Sequence, residues 1–143
     1  MKLSVKRLDE SLPLPSYARE MDAGLDLLAS EDVTLKPGDR AAVATGIAVA
    51  IPQGFAGFVH AKSGRALREG LAIVNAPGLI DSGYRGEIKV LVTNLDPVSP
   101  IYIKRGEKVA QLVIQAVEAV ALEAVDELPA SARGEGGFGS TGR

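Results

Sequence analysis

Several residue types that commonly carry catalysis or metal binding are missing or scarce in this sequence. It contains no cysteine, so disulfides, thiolate nucleophiles and Cys-ligated zinc are all excluded. The only histidine is His60, which excludes a His-cluster metal site and leaves at most one imidazole for a catalytic triad. Any chemistry must therefore use carboxylates, Tyr, Ser, Thr, Lys or Arg, with any metal held by other ligands.

Long apolar segments and a strong positive charge are missing as well. No stretch approaches the roughly 20 uncharged apolar residues of a membrane span, and the N-terminus has no signal-peptide-like run, so we expect a soluble, cytoplasmic protein. The net charge of −2 and the pI of about 5.4 argue against a duplex nucleic-acid partner, because such binders usually present a strongly basic face. A small anion bound by a few placed cations fits this composition.

The length and the turn residues indicate one domain built from short strands. The chain has 143 residues, of which 46% are hydrophobic, which suits a single core. Gly and Pro recur at short intervals, and most runs between them are about six to twelve residues long, as in proteins with many short strands. Residues 40–51 predict one or two strands with Gly46 at a bulge or a close backbone approach, and residues 55–60 predict another.

Three segments depart from this strand pattern. Residues 64–69 predict one short helix, with Ser63 able to cap its free N–H groups and Gly70 able to close it. Residues 109–125 are ambiguous, because the spacing of Gln and Glu favours an amphipathic helix whereas the β-branched content favours strands. Residues 130–143 contain five glycines and few apolar side chains, which predicts a mobile tail.

The most informative stretch runs from residue 71 to residue 94. Asn75-Ala76-Pro77-Gly78 lies between apolar residues, and because Pro presets φ and Gly accepts positive φ, it predicts the turn of a β-hairpin. A second turn, 81–86, leads into residues 87–93, where apolar and polar side chains alternate as a half-buried strand requires. Asp81 and Tyr84 are then placed where their side chains can converge on a ligand.

The segment from Asn75 to Glu87, NAPGLIDSGYRGE, resembles the nucleoside-binding hairpin of the trimeric dUTP pyrophosphatases, or dUTPases. Four further segments resemble motifs of that family in the same order: Ala23 to Leu27, Lys62 to Ala66, Gly106 to Leu112 and Arg133 to Gly142. The resemblance implies an all-β, jelly-roll-like domain over residues 1–129 with strands in 109–125, and a closing tail over residues 130–143. It also implies a homotrimer with sites at the subunit interfaces.

The resemblance implies hydrolysis of dUTP to dUMP and pyrophosphate by attack of water at the α-phosphorus, which would limit uracil in DNA and supply dUMP for dTMP synthesis. Asp81 is the implied general base, and the Tyr84 ring would pack against deoxyribose and leave no room for a 2′-hydroxyl. From the residues alone, a turn-forming Asp and an amphipathic surface Tyr remain alternatives. Uracil and deoxyribose contacts are implied for Asn75, Gly78, Ile80, Tyr84 and Phe138.

Phosphate contacts are implied for eight residues from three motifs: Lys62, Ser63, Gly64, Gln111, Arg133, Gly139, Ser140 and Thr141. Lys62 stands where the family commonly has Arg, so it offers a point charge rather than a planar fork, and Arg65 stands where the family usually has an apolar residue. The implied cofactor is Mg²⁺, held mostly by triphosphate oxygens and waters. Asp26 would bind it through water or steady the site without binding the metal, and the alternative is a strand-end Asp exposed to solvent.

Two other functions stay open at this point. One is a deaminase related to the dCTP deaminases, which Tyr84 and the C-terminal motif disfavour. The other is a non-catalytic module that binds dUTP, which the presence of Asp81 disfavours. Ammonia release from dCTP and pyrophosphate release from dUTP would separate these functions.

Overall fold

Ten β-strands and one short helix make up residues 1–137, the part of the chain that this computed structural model describes. The elements are β1 (Ser4–Arg7), β2 (Leu25–Leu28), β3 (Val33–Leu35), β4 (Arg40–Ala50), β5 (Phe55–His60), α1 (Ser63–Glu69), β6 (Leu71–Ile73), β7 (Gly78–Ile80), β8 (Glu87–Asn94), β9 (Ile101–Ile103) and β10 (Lys108–Ala116). The predicted all-β class with one short helix is confirmed.

The strands form three antiparallel sheets around one core. The first sheet has the order β1-β4-β8-β6, the second has the order β2-β10-β5-β7, and β3 pairs with β9. Fully buried side chains come from all three sheets: Leu27, Leu35, Val43, Ile88, Val90, Val92, Ile103, Val109 and Leu112. This arrangement agrees with the predicted jelly-roll-like architecture, in which apolar faces of packed sheets exclude water together.

The strands predicted around Gly46 and after Tyr84 are both present. β4 is continuous, its pairing with β8 shifts register between Ala44 and Ala48, and Gly46 has φ +69°. A Cβ at Gly46 would lie 2.9 Å from Asp9 Cβ, so this position needs glycine both for its backbone angle and for space. Along β8, buried apolar residues alternate with exposed or half-buried ones, as the sequence pattern predicts.

The predicted β-hairpin at residues 71–80 is wrong. β6 pairs with β8 in the first sheet, whereas β7 pairs with β5 in the second. The turn between them therefore carries the chain from one sheet to the other. Turn residues reveal where the chain changes direction, but they do not reveal which strand completes each ladder, and here the longer strands β5 and β8 supply the partners.

The short helix is present but begins one residue earlier than predicted. Its N-cap residue is Lys62, with no side-chain capping bond, so the predicted cap by Ser63 is wrong: Ser63 is already the first helical residue. Gly70 closes the helix as predicted, with φ +70° and its N–H donated to the Ala66 carbonyl at 3.1 Å. Within residues 1–137, no helix is long and apolar enough to cross a membrane.

The ambiguous segment 109–125 divides in two. Its first part is strand β10, which ends at Ala116, so the prediction of strands is correct there. Residues 117–125 form neither strand nor helix, and there the prediction is wrong. The apolar side chains of Val117, Val120, Leu122 and Val125 are exposed, and within the described part of the chain no strand pairs with this segment.

Candidate active site

Four of the five residues predicted to contact uracil or deoxyribose line one cavity of about 520 Å³, together with Asp81. β7 contributes Gly78 and Ile80, the turn before it contributes Asn75, and the turn between β7 and β8 contributes Asp81 and Tyr84. Val59 of β5, which pairs with Gly78 of β7, also lines the cavity. Five residues that the sequence singles out thus share one concave surface.

Tyr84 is held against this cavity by its own turn. Its hydroxyl donates to the Glu87 carbonyl at 3.0 Å, and its N–H donates to the Asp81 carbonyl at 3.1 Å. A Cβ at Gly86 would collide with the ring, lying 2.6 Å from Tyr84 Cζ. The glycine after Arg85 is therefore required by the close approach of the tyrosine ring, which fixes where the ring stands.

The Asp81 carboxylate is not used as a turn-forming group. Asp9, Asp22, Asp39 and Asp96 each accept a hydrogen bond from a nearby backbone N–H, which is the ordinary role of Asp in turns. Among residues 1–137, the Asp81 side chain has no such bond and no ion-pair partner within 4.0 Å, and the residue is exposed. Its carboxylate is consequently available to a ligand in the cavity.

Sequence reasoning missed two polar residues of this cavity, Glu87 and Lys89. Both lie on the outward face of β8, where alternating polar residues are expected in any half-buried strand. Glu87 Oε1 accepts the N–H of Gly46 at 2.9 Å, which ties the cavity wall to the bulge in β4. The period of two places them on one face, but it gives no signal that this face borders a cavity.

A second group of predicted residues meets at the other end of the second sheet. β10 lies between β2 and β5, so Gln111 pairs with Asp26 on one side and with His60 on the other. Gln111 Nε2 donates to the Ala61 carbonyl at 3.1 Å, and a Cβ at Gly24 would lie 2.7 Å from Gln111 Oε1. Three separate sequence motifs therefore come together here.

Asp26 is buried and engaged by two lysines. Its side chain is 7% exposed, Lys62 Nζ donates a hydrogen bond to Oδ1, and Lys108 Nζ lies 2.6 Å from Oδ2. The Lys108 contact is an ion pair without hydrogen-bond alignment, so Oδ2 has no aligned donor. Burial alone would raise the pKa of this carboxyl, but Lys108 and Lys62 outweigh it and hold the pKa below its usual value. The exposed strand-end Asp considered above is excluded.

These residues do not form a protein-held Mg²⁺ site. No group of three or more His, Cys, Asp or Glu side chains suited to a metal occurs within residues 1–137. Both oxygens of Asp26 face ammonium groups, which would repel a cation that approached the carboxylate directly. These residues therefore fit only a Mg²⁺ that is already bound by oxygens of the triphosphate and by water.

Lys62 and Lys108 also line an open cavity of about 770 Å³, together with Arg65, Arg68 and the loops around β9. Arg65 is 12% exposed in its side chain and bonds Glu69 at 2.7 Å and the Tyr102 carbonyl at 3.2 Å. It also approaches Glu107 at 3.4 Å. The departure from an apolar residue at position 65 is thus explained by a polar bridge that ties α1 to the β9–β10 region.

The two cavities share no lining residue, and the geometry of β5 explains their separation. Ile80 pairs with Gly57 near the start of β5, and Asp81 follows Ile80, whereas Lys62 follows the end of β5. From Gly57 to Lys62 is five residues, or about 16 Å of extended chain. Asp81 and Lys62 of a single chain therefore belong to different cavities, at opposite ends of β5.

The remaining predicted residues join neither cavity. Ser63 and Gly64 begin α1, where a Cβ at Gly64 would lie 3.0 Å from Arg68 Nη1. Arg133 is exposed and donates from Nε to the Gly136 carbonyl at 2.7 Å. Phe138, Gly139, Ser140 and Thr141 lie outside the described residues.

Comparison with known proteins gives one consistent family. The sequence pattern of the dUTPase family matches residues 10–142. A curated relative from Thermobifida fusca (strain YX), the deoxyuridine 5'-triphosphate nucleotidohydrolase, is 58% identical over 142 residues, which cover 99% of this chain and 79% of that protein.

Experimental structures agree with the sequence comparison. A variant of the dUTPase of Staphylococcus bacteriophage 80alpha with dUpNHpp has a TM-score of 0.93 at 30% identity, over 99% of both chains. A variant of the dUTPase from phage phi11 of S. aureus, described with a structural Mg(II) ion, has a TM-score of 0.82 at 28% identity, over 89% of this chain and 98% of that one.

Proposed function

Since this chain belongs to the dUTPase family and hydrolyses dUTP, we propose that each of its active sites combines the nucleoside cavity of one subunit with the phosphate-binding residues of a neighbouring subunit. The chain is a dUTP diphosphatase, and its products are dUMP and pyrophosphate. The observation that carries the proposal is the Asp81 carboxylate, which has no side-chain partner within residues 1–137 and lies in a cavity shared with Asn75 and Tyr84.

In the proposed reaction, Asp81 accepts a proton from the water that attacks the α-phosphorus. A P–O bond forms to this water, the bond from the α-phosphorus to the bridging oxygen breaks, and pyrophosphate leaves with the electron pair. A positioned general base of this kind contributes about 10²- to 10⁴-fold to the rate. The lack of any competing bond to the Asp81 carboxylate within residues 1–137 supports this assignment.

The nucleoside end of the substrate is assigned to the same cavity. Asn75, Gly78 and Ile80 would pair with the uracil edge, with Asn75 and the backbone of β7 as the polar contacts. A cytosine would present the opposite donor and acceptor pattern at position 4 and leave buried groups unpaired, which polar sites penalise strongly. The fixed ring of Tyr84 would occupy the space that a 2′-hydroxyl needs.

The triphosphate is assigned to Lys62, Ser63, Gly64 and Gln111 of the neighbouring subunit. Mg²⁺ bound to the triphosphate would neutralise part of its charge and hold it in one conformation. Arg133, Phe138 and the residues Gly139, Ser140 and Thr141 would complete the site as the tail closes over the nucleotide, Arg133 at a phosphate and Phe138 at the base.

Two features support the trimer on which this arrangement depends. First, Asp81 and Lys62 of one chain line separate cavities, and a second chain would bring the two kinds of residue into one site. Second, the segment 117–128 presents exposed apolar side chains, Val120, Leu122 and Leu128 among them, which association of subunits would bury. A cyclic homotrimer would build three equivalent sites. The cytoplasmic location stays a prediction from the sequence.

Pyrophosphate release from dUTP, dCTP, dTTP and UTP tests the assignment of the cavity, and Asp81→Asn tests the base. We expect strong preference for dUTP, and we expect Asp81→Asn to abolish turnover while nucleotide affinity stays within about tenfold, because the amide keeps the shape but cannot accept the proton. Glu10→Gln, the same kind of change at an exposed position that lines neither cavity, is the matched control. Near-wild-type turnover by Asp81→Asn would refute the assignment, and ammonia release from dCTP would indicate the deaminase instead.

A further inference from the structure

We propose that Lys108 is a further substrate-binding residue that contacts the triphosphate beside Lys62, and that Asp26 is the positioning residue that holds both lysines in place rather than a ligand of Mg²⁺. The proposal rests on the proposed function, because it takes the triphosphate to lie at the Lys62 end of the site. It adds a residue to the phosphate site and decides between the two roles that the sequence leaves open for Asp26, metal binding through water and support of the site.

The first step is the convergence of two ammonium groups on one carboxylate. Lys62 bonds Oδ1 of Asp26 and Lys108 lies 2.6 Å from Oδ2, so the two cations are close neighbours. One carboxylate balances only one of the two positive charges. The cluster therefore keeps a surplus positive charge that an anion would neutralise, and a polyphosphate is the anion that the reaction provides.

The second step is that both ammonium groups keep unused donors. An ammonium group has three N–H donors. Within residues 1–137, Lys62 Nζ uses one of them, on Asp26, and Lys108 Nζ forms no aligned hydrogen bond. Each lysine can thus stay beside Asp26 and still donate to phosphate oxygens.

The third step is accessibility. The side chains of Lys62 and Lys108 are 26% and 51% exposed, whereas that of Asp26 is only 7% exposed. Both lysines line the 770 Å³ cavity and Asp26 does not. The three acids that line that cavity are already engaged, Glu69 and Glu107 by Arg65, and Asp96 by backbone N–H groups of its own turn. A ligand in the cavity therefore meets the ammonium groups, and the carboxylate lies behind them.

Lys108→Gln is the direct test, and Lys104→Gln is its matched control. Lys104 is also on the surface near β10 but pairs with Asp32 at 3.5 Å and lines neither cavity. The measurement is the dissociation constant of dUpNHpp by titration calorimetry, with deoxyuridine, which lacks phosphate, as the reference ligand. We expect Lys108→Gln to weaken dUpNHpp binding by about 10- to 100-fold, as for a lost charge-assisted hydrogen bond, while deoxyuridine binding and the Lys104→Gln control stay unchanged.

Asp26→Asn separates positioning from metal binding, because dUpNHpp can be titrated both with Mg²⁺ and in EDTA. If Asp26 positions the lysines, the variant loses affinity by a similar factor in both conditions. If Asp26 serves the metal, the loss occurs only with Mg²⁺, and this part of the proposal is wrong. Thermal melting checks that the buried change is tolerated. If Asp26→Asn does not fold, Lys108→Arg provides the second test. This variant keeps the positive charge and should retain most of the affinity for dUpNHpp. A loss of affinity as large as that of Lys108→Gln would refute the phosphate contact.

The outcomes distinguish this inference from the proposed function. If the wild-type protein hydrolyses dUTP but Lys108→Gln binds dUpNHpp like Lys104→Gln, the role of Lys108 is refuted while the function stands. If Lys108→Gln weakens deoxyuridine as much as dUpNHpp, the effect is structural and the inference is again refuted. If the wild type binds dUTP analogues but releases no pyrophosphate, the assigned reaction fails, and the lysine contacts are still decided by calorimetry.

Discussion

Mixing two inactive variants should restore activity, because each active site is proposed to draw its two halves from different subunits. One variant is Asp81→Asn, which removes the base from the nucleoside half. The other is Lys62→Gln/Ser63→Ala, which removes one charged and one neutral donor from the phosphate half. The Ser63 side chain forms no capping bond, and glutamine at position 62 can still donate to Asp26, so the fold should survive both changes.

The expected recovery follows from counting subunits around the trimer. In a random 1:1 assembly, a site has an intact nucleoside half with probability one half and an intact phosphate half from the next subunit with the same probability. About a quarter of all sites should therefore be active, because each trimer that contains both variants has one intact site and trimers of a single variant have none. A site built within one chain would show no recovery, because every chain carries one damaged half.

Each variant alone should be nearly inactive. The loss of one charged and one neutral hydrogen bond in the phosphate half amounts to about 3 kcal/mol, or roughly a hundredfold. Pyrophosphate release is the assay, on trimers formed by co-expression and on the two variants mixed after folding, which should not exchange. Recovery close to zero in co-expressed trimers would refute the shared site.

A second mixture tests the shared site by the loss of wild-type activity rather than by recovery of activity. Wild-type subunits are combined 1:1 with subunits that carry Asp81→Asn, Lys62→Gln and Ser63→Ala together. A shared site again predicts about a quarter of the wild-type activity, whereas a site within one chain predicts about half. Shared sites therefore predict about a quarter of the wild-type activity in both mixtures. Sites within one chain predict no activity in the first mixture and about half of the wild-type activity in the second.

Three further predictions concern the sugar contact, the tail and acid stability. Tyr84→Ala should reduce the preference for dUTP over UTP, and Gly86→Ala should do the same to a smaller degree by displacing the ring; an unchanged ratio of kcat/KM for the two substrates would contradict this role. Removal of residues 133–143 should leave trimer mass and melting temperature unchanged but cripple pyrophosphate release, as for a segment that closes a site; undiminished release would contradict closure. The Ser11 hydroxyl and the Arg105 guanidinium lower the pKa of Asp9 to about 2. The ionised Asp9 therefore stabilises the fold above the unfolded pKa of about 3.9, and this stabilisation is lost as the pH falls toward 2. Urea midpoints measured between pH 2 and 6 should depend less on pH for Asp9→Asn than for the wild type, and equal slopes would contradict this role of Asp9.

Local sequence predicts individual elements of this fold better than their partners. The alternation in residues 87–93 identifies β8, and Gly70 identifies the end of α1, because both features depend on side chains that are near in sequence. The pairing of β6 with β8 and of β7 with β5 depends on contacts between residues far apart in sequence. No turn residue encodes that choice, which is why the predicted hairpin is wrong.

The candidate site shows the same division. Asn75, Asp81 and Tyr84 line one cavity, as expected, because only β7 and its two flanking turns connect them. Asp26 is expected near a metal or in solvent, but it lies buried between two lysines, one of which, Lys108, follows it by 82 positions. Only the pairing of β2 with β10 brings them together, so the composition of each motif alone could not reveal the ion pairs.

The replacement of Arg by Lys at position 62 has a physical consequence in this setting. A guanidinium beside a carboxylate tends to bond both oxygens with its planar fork. Such a fork at position 62 would compete with Lys108 for Oδ2 of Asp26. An ammonium group takes one oxygen and directs its other donors elsewhere, which leaves Oδ2 to Lys108 and both cations open to the cavity. The point charge at position 62 and the second cation at position 108 are therefore mutually compatible, and two lysines around one carboxylate can offer to a triphosphate the spread of donors that one arginine fork would otherwise supply.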